Sequence, residues 1–527
     1  MRNKLPYILL ILVCLGLFVV GLGKVPLFGL DESLYSEVSR SMSATGDFIV
    51  PHYNGQPFYD KPPIVYWMQT LCIRTFGVNS LAVRLPSAVM ALLLIAFTVF
   101  LTTKLFSPRS GVFVGFTLAC CLLTTGLARM AILDMTFTLM LALSLGMFIL
   151  TYVNKLPRYG YLLSWVGLAL SVMTKGPAGA VIIGLVILVF LAIRKDMRAL
   201  FTVYPIQGIL LTLVIALPWY LAANAATHGD FIREFVFHQN LARAMGKDFQ
   251  HNGNLLYYIP VFLAGFLPWS IFLPAAIKSW TRYDKAETRI ASQFMTVWVA
   301  VIFALFSIIV SKLPGYIYPI YPAAAVLVGV WWARQEPDGL KRSSVVCSVF
   351  LILFAAAIMI GGAGWEYADT EMRRILVAMA VSVLMSAGVS VLYSYKDNKP
   401  SAFTALAAGY TLFLGIAVLA GLPAFSRQTD GPAVEISKYI TTNLNGNHEI
   451  IAFDYNQKQP NLPSLPFYTG QSVQFIWDFE KLQSELHKPG RAVVIMDGNT
   501  PMQCVYGLKI LKDFGKYMVC IEEENEF

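Results

Sequence analysis

Apolar and polar residues alternate along this chain in long blocks rather than in short periods. Apolar runs fall at roughly 5–22, 81–105, 110–128, 135–153, 159–175, 177–193, 201–222, 255–279, 293–311, 316–334, 343–363, 374–394 and 401–424. Each approaches the roughly 20 residues that carry a helix across a bilayer, so the pattern predicts about thirteen spans. Two long polar stretches interrupt it, 24–80 and 223–254. In the first, Leu34, Val38 and Met42 repeat at i, i+4 and i+8, which predicts an amphipathic helix lying along the membrane surface. From about Ser426 the period changes. Ile450 to Phe453, Val473 to Ile476 and Ala492 to Met496 read as strands, and Phe479 to Leu486 as a helix, in a βαβ-like order. The expected organisation is a multi-spanning α-helical membrane domain over 1–425, with outward loops 24–80 and 223–254, and a small C-terminal α/β domain over 426–527.

Composition agrees with the pattern. The chain is 57% hydrophobic and only 13% charged, with a mean hydropathy of +0.61. Soluble domains carry about 25% charged residues. The net charge of +9 is spread through short loops such as Lys155/Arg158, Arg194-Lys195 and Lys341-Arg342, which marks those loops as cytoplasmic and is no nucleic-acid signal. Met1-Arg2-Asn3-Lys4 precedes the first apolar run without a cleavage site after it, so that run reads as an uncleaved span with a cytoplasmic N-terminus. An odd number of spans then puts the tail on the opposite, periplasmic side. Most cysteines lie in apolar runs and read as small core residues. Cys504 and Cys520 fall in the tail, where an extracytoplasmic setting would permit a disulfide.

The outward loops hold the candidate chemistry. Asp31-Glu32, at the exit of the first span, suits a general base, a metal ligand or a sugar-hydroxyl acceptor, or else a solvated loop start. In Phe58-Tyr59-Asp60-Lys61-Pro62-Pro63, the prolines restrict the directions of Asp60 and Lys61, and Lys61 at headgroup level suits an anionic phosphate. His238 and Arg243 share another outward loop, the first a candidate metal ligand and the second able to grip phosphate bidentately. Tyr316, in Lys312-Leu313-Pro314-Gly315-Tyr316, offers a hydroxyl donor or simply belongs to the aromatic belt. Tyr35, Glu37, Tyr59, Asp134, Lys175 and Lys312 complete the set of residues expected to line a substrate cavity. Acids, cations and aromatics on one face of the membrane suit a lipid-phosphate substrate.

These motifs resemble, in order, those of the polyprenyl-phosphate-dependent glycosyltransferases of the GT-C class. Within that class they are similar to the bacterial lipid A aminoarabinose transferases and to their protein O-mannosyltransferase relatives. The resemblance runs over roughly the first 330 residues, through Asp31 to Glu37, Gly46 to Pro51, Tyr59 to Pro63, Val83-Arg84-Leu85-Pro86, Lys175-Gly176-Pro177, His238 to Arg243, Gly265 to Trp269 and Lys312 to Pro319. It implies inverting transfer of a sugar, such as 4-amino-4-deoxy-L-arabinose, from undecaprenyl phosphate. The acceptor would be lipid A, another glycolipid or a protein, at the periplasmic face of the bacterial inner membrane. By the same resemblance Lys61, Arg243 and Tyr316 would hold the lipid phosphate, and Asp31, with Glu32, would stand at the reacting centre. Asp60 and His238 would match a divalent metal site, for zinc or another ion; an activated donor needs no nucleotide cofactor. Three departures qualify the match. Ser33 and Leu34 replace the family's usual Thr and Arg, Asp60 replaces Glu, and Phe58 replaces Tyr. The shorter Asp60 weakens the metal reading, and the missing Arg weakens the choice of aminoarabinose as the sugar. The rival reading is a transporter, which would place ionisable residues near the bilayer midplane rather than at span ends.

Overall fold

The computed structural model describes the chain except for residues 1–3, 236–252, 280, 282, 284, 335–338, 365–368, 445–447, 455–459, 488–491, 499, 501–506 and 523–527. It divides into two compact units. The first comprises Met1–Gly21, Tyr59–Val65 and Leu85–Gly421; the second comprises Leu22–Phe58, Tyr66–Arg84 and Leu422–Phe527.

Among the described residues, eight helices are long and apolar enough to cross a membrane, from Ser80–Leu105 to Lys399–Thr429. Two further apolar runs are broken rather than straight. Pro108–Ala119 and Leu122–Ala128 meet at 70°, and Tyr258–Gly265 and Trp269–Ser279 at 107°. Hydropathy cannot see such breaks, because it sums apolar residues without regard to backbone hydrogen bonding. Pro268, which has no N–H to donate, lies at the second break. Leu5–Phe18 and Ala178–Arg194 are shorter apolar helices.

Position within the first unit follows from sequence. Asp134–Tyr152 is 83% buried and carries no polar stripe, as expected for a helix surrounded by others. It packs closely on Gly160–Lys175: a Cβ on Gly167 would stand 2.6 Å from the Ser144 nitrogen. Leu340–Gly362, only 17% buried, lies at the periphery. The basic loops assigned to one side touch one another. Lys155 pairs with Glu287, Tyr152 donates to Asp196 at 2.8 Å, and Lys341 meets Asp397 at 3.1 Å. The Arg129 guanidinium donates to the Leu17 and Val20 carbonyls at 3.0 and 2.9 Å, satisfying carbonyls at the end of the first helix.

The second unit contains a five-stranded sheet in the order Val473–Ile476, Glu449–Phe453, Ala492–Asp497, Tyr517–Glu522, Leu508–Asp513. The first three strands are parallel and the last two antiparallel. Alternate residues serve opposite faces. Ile450, Ala452, Val493 and Ile495 pack with Ile436 and Ile440, whereas Ile451, Phe453, Val494 and Met496 pack with Leu482. The expected strands and the helix Phe479–Leu486 coincide with these elements. Cys520 is a buried free thiol, and Cys504 lies outside the described residues.

The amphipathic stretch of this unit is the helix Gly29–Thr45, closed by Gly46 at φ +75°. Its buried residues include Glu32, Ser33, Ser36, Glu37 and Ser39 as well as Val38 and Met42. Ser39 donates to Gln69 at 2.6 Å and receives a bond from Thr70 at 3.0 Å, on the helix Ile64–Phe76. The helix therefore packs on protein through its polar residues as well as through Val38 and Met42.

Candidate active site

Candidate residues of the first unit form two groups. In one, the Lys61 ammonium donates to the Asp60 carboxylate at 2.6 Å, with side chains 15% and 13% exposed. Adjacent side chains meet here because Pro62 and Pro63 hold the chain extended beyond them. Tyr59 sets its ring edge-on to Phe231 at 5.9 Å, and burial, with Asp230 and Glu234 nearby, pushes its phenol up.

The other group joins Asp134, Lys175 and Tyr316. Asp134 opens one helix and Lys175 closes another, so each charge sits at the helix end that favours it. They pair at 2.8 Å, and the ammonium lies 5.2 Å from the Phe137 ring and 5.3 Å from the Tyr316 ring. Gly315 lets the backbone approach: a Cβ there would stand 3.0 Å from Asp134 Oδ1. Lys312 has a different position. Its ammonium donates to the Phe306, Ser307 and Ile309 carbonyls at 3.0, 2.8 and 2.7 Å, and burial lowers its pKa. These three bonds use all its donors to finish the helix Ala286–Ile308. Tyr258, which the sequence reading did not single out, donates to the Leu313 carbonyl at 3.1 Å and faces the Lys312 ammonium at 5.2 Å.

The second unit separates the two adjacent acids. Asp31 is exposed in the first turn of its helix, whereas Glu32 is fully buried. Arg84 meets Glu32 through Nε and Nη2, at 2.7 Å each. Its remaining donors go to the Leu22, Val25 and Pro26 carbonyls at 3.2, 2.7 and 2.6 Å. All five guanidinium donors are thus used. Glu32 also accepts from the Phe28 N–H at 2.6 Å. Glu32 and Arg84 hold the loop that presents Asp31. The signal for Arg84 was present in the sequence: a cation near the start of a long apolar run requires a partner. Glu37 is engaged bidentately by Arg40 at 2.6 and 2.8 Å; burial raises its pKa and Arg40 opposes the rise. Tyr35 packs against Tyr66 at 6.0 Å.

His238 and Arg243 lie outside the described residues. No group of three or more His, Cys, Asp or Glu poised for a metal occurs among the described residues. Asp60, one of the two expected ligands, shares its carboxylate with Lys61.

Comparison with known proteins places these residues in a family. The undecaprenyl phosphate-alpha-4-amino-4-deoxy-L-arabinose arabinosyl transferase of Edwardsiella ictaluri is 30% identical over 438 residues, 79% of this chain and 78% of that protein. This chain belongs to that family of arabinosyl transferases. The Enterobacter sp. enzyme of the same name is 29% identical over 461 residues, covering 83% of this chain and 81% of its own. Residues 60–221 match the family described as dolichyl-phosphate-mannose-protein mannosyltransferase. The crystal structure of ArnT from Cupriavidus metallidurans bound to undecaprenyl phosphate superposes with a TM-score of 0.83 at 22% identity, over 99% of this chain and 98% of that one. The Archaeoglobus fulgidus oligosaccharyltransferase AglB, in complex with an inhibitory peptide and a dolichol-phosphate, reaches 0.52 at 11% identity, over 93% of this chain and 69% of that one. The fold is that of a multi-span membrane glycosyltransferase.

Proposed function

We propose that this enzyme moves 4-amino-4-deoxy-L-arabinose from undecaprenyl phosphate to lipid A, with inversion, at the periplasmic face of the inner membrane. The observation that carries this reading is family membership across four-fifths of the chain, with relatives named for that donor and sugar. In this reading thirteen spans leave the N-terminus in the cytoplasm and residues 426–527 as a periplasmic domain. Lys61, with Arg243 and Tyr316, holds the donor phosphate, whose negative charge grows as the glycosidic bond breaks. Where the acceptor is a hydroxyl, Asp31 accepts its proton, and an ionised phosphate acceptor needs little base; Glu32 and Arg84 fix the Asp31 loop.

The test is mass spectrometry of lipid A and of the polyprenyl-phosphate sugar pool, in cells with and without the gene. Loss of the aminosugar from lipid A, with its donor accumulating, is the expected result. An accumulating donor with unaltered lipid A would move the acceptor to a protein or another glycan. In the purified enzyme, Asp31→Asn is expected to lower turnover by about 10²–10⁴-fold, the range for a lost general base. Near wild-type turnover would remove Asp31 from proton transfer.

A divalent ion on Asp60 and His238 would compete with the Lys61 ammonium for the same carboxylate. Transfer is therefore expected to persist after chelation. Turnover compared in EDTA-treated and metal-replete enzyme checks this, and a loss restored by one metal would give Asp60 a ligand's role.

A further inference from the structure

The C-terminal segment grips the turn that leads into Asp31. The Tyr468 hydroxyl accepts from the Leu27 N–H at 2.9 Å and shares a hydrogen bond with Ser80 Oγ at 3.0 Å. The Phe425 ring packs against the Phe28 ring, centroids 5.9 Å apart. The Asp430 carboxylate accepts from the Gly29 N–H and from the Thr429 hydroxyl. Three consecutive residues, Leu27, Phe28 and Gly29, are thus each held by a different side chain from beyond residue 422.

The hydrogen bonding around this turn is close to complete. Helix heads expose N–H groups with no partner inside the helix. Here Asp430 takes the one on Gly29, Glu32 the one on Phe28, and Tyr468 the one on Leu27. Arg84 takes the carbonyls of Leu22, Val25 and Pro26. Farther along the same loop, the Asn54 amide pairs in both directions with the backbone of Val473, at 2.6 and 2.7 Å.

We propose that Tyr468, Phe425 and Asp430 are positioning residues, through which the C-terminal segment fixes the angle and depth at which the Asp31 carboxylate is presented. This rests on the reading of Asp31 as the reacting centre's base. Misplacing a reacting group by about 1 Å can cost 10²-fold in rate. A loosened turn should therefore slow the chemical step. Donor binding, assigned to Lys61, Arg243 and Tyr316, should be unaffected.

The experiment uses full-length enzyme in nanodiscs, with a polyprenyl-phosphate aminosugar as donor. Tyr468→Phe and Asp430→Ala are expected to lower kcat by roughly 10–100-fold with donor KM nearly unchanged. Amide hydrogen exchange should accelerate over residues 24–32 in both variants. Asp430→Asn, which keeps an acceptor oxygen, should retain most of the activity. Unchanged kcat, unchanged exchange, or losses in kcat, donor KM and global melting temperature together would each overturn the proposal. If the wild-type enzyme transferred no sugar, the functional reading would fail instead. Exchange over residues 24–32 would then decide the grip alone: acceleration confined there keeps it, and no change removes it.

Discussion

Lys61→Ala is expected to lower sugar transfer by about 10²–10³-fold, equivalent to roughly 3–4 kcal/mol of transition-state stabilisation. The leaving group is a phosphate monoester whose charge rises along the reaction, so a fixed cation beside it counts more in the transition state than in the bound donor. Lys61 is held in place by two constraints: Pro62 and Pro63 beyond it, and the Asp60 carboxylate at 2.6 Å. Removing the ammonium also takes the 2.6 Å ion pair from Asp60. The loss should appear mainly in kcat, and Lys61→Arg should restore little, because a planar guanidinium cannot reproduce the ammonium's geometry. Single-turnover transfer from a labelled polyprenyl-phosphate sugar measures it. A variant within about threefold of wild type would take Lys61 off the phosphate.

The second large effect is on folding. Arg84→Met should destabilise the second unit by about 3–5 kcal/mol, the cost of leaving a buried ion pair with one partner. Glu32 is fully buried and loses two bonds at 2.7 Å, and the Leu22, Val25 and Pro26 carbonyls lose their donor in the same substitution. Glu32→Gln alone should be milder, since the amide oxygen still accepts from Arg84, and the guanidinium that loses its counter-ion keeps the Leu22, Val25 and Pro26 carbonyls as acceptors. The double variant should recover part of the loss, because removing both charges is far less costly than removing one. Thermal unfolding of purified protein, followed together with protease sensitivity of residues 22–28, checks the order. Equal stability of Arg84→Met and wild type would mean that the loop is held by other contacts.

Much of this was legible in one dimension because its physics is one-dimensional. Spans announce themselves by length and hydropathy, since lipid cannot satisfy a backbone N–H and a helix must do so internally. The parallel strands of the tail carried β-branched runs and were equally plain. The hairpin Leu508–Asp513 and Tyr517–Glu522 was not expected: Lys509 and Lys512 face outward on an edge strand and break the apolar pattern. The polar contacts of the helix Gly29–Thr45 were hidden for a related reason. Periodicity reports spacing, but Ser39 and Glu37 are buried through partners, Gln69 and Arg40, that spacing does not show.

The site divides in the same way. The sequence by itself determined the membrane-embedded architecture and the family, because residue order and motif chemistry are local properties. Only the tertiary structure decided what each charged side chain is engaged with. It turned Asp31-Glu32 into an exposed acid beside a buried anchor, committed Lys312 to a helix end, and paired Asp134 with Lys175 forty-one residues away. Those outcomes depend on desolvation and on distances between residues remote in the chain, and neither quantity exists until the chain is folded.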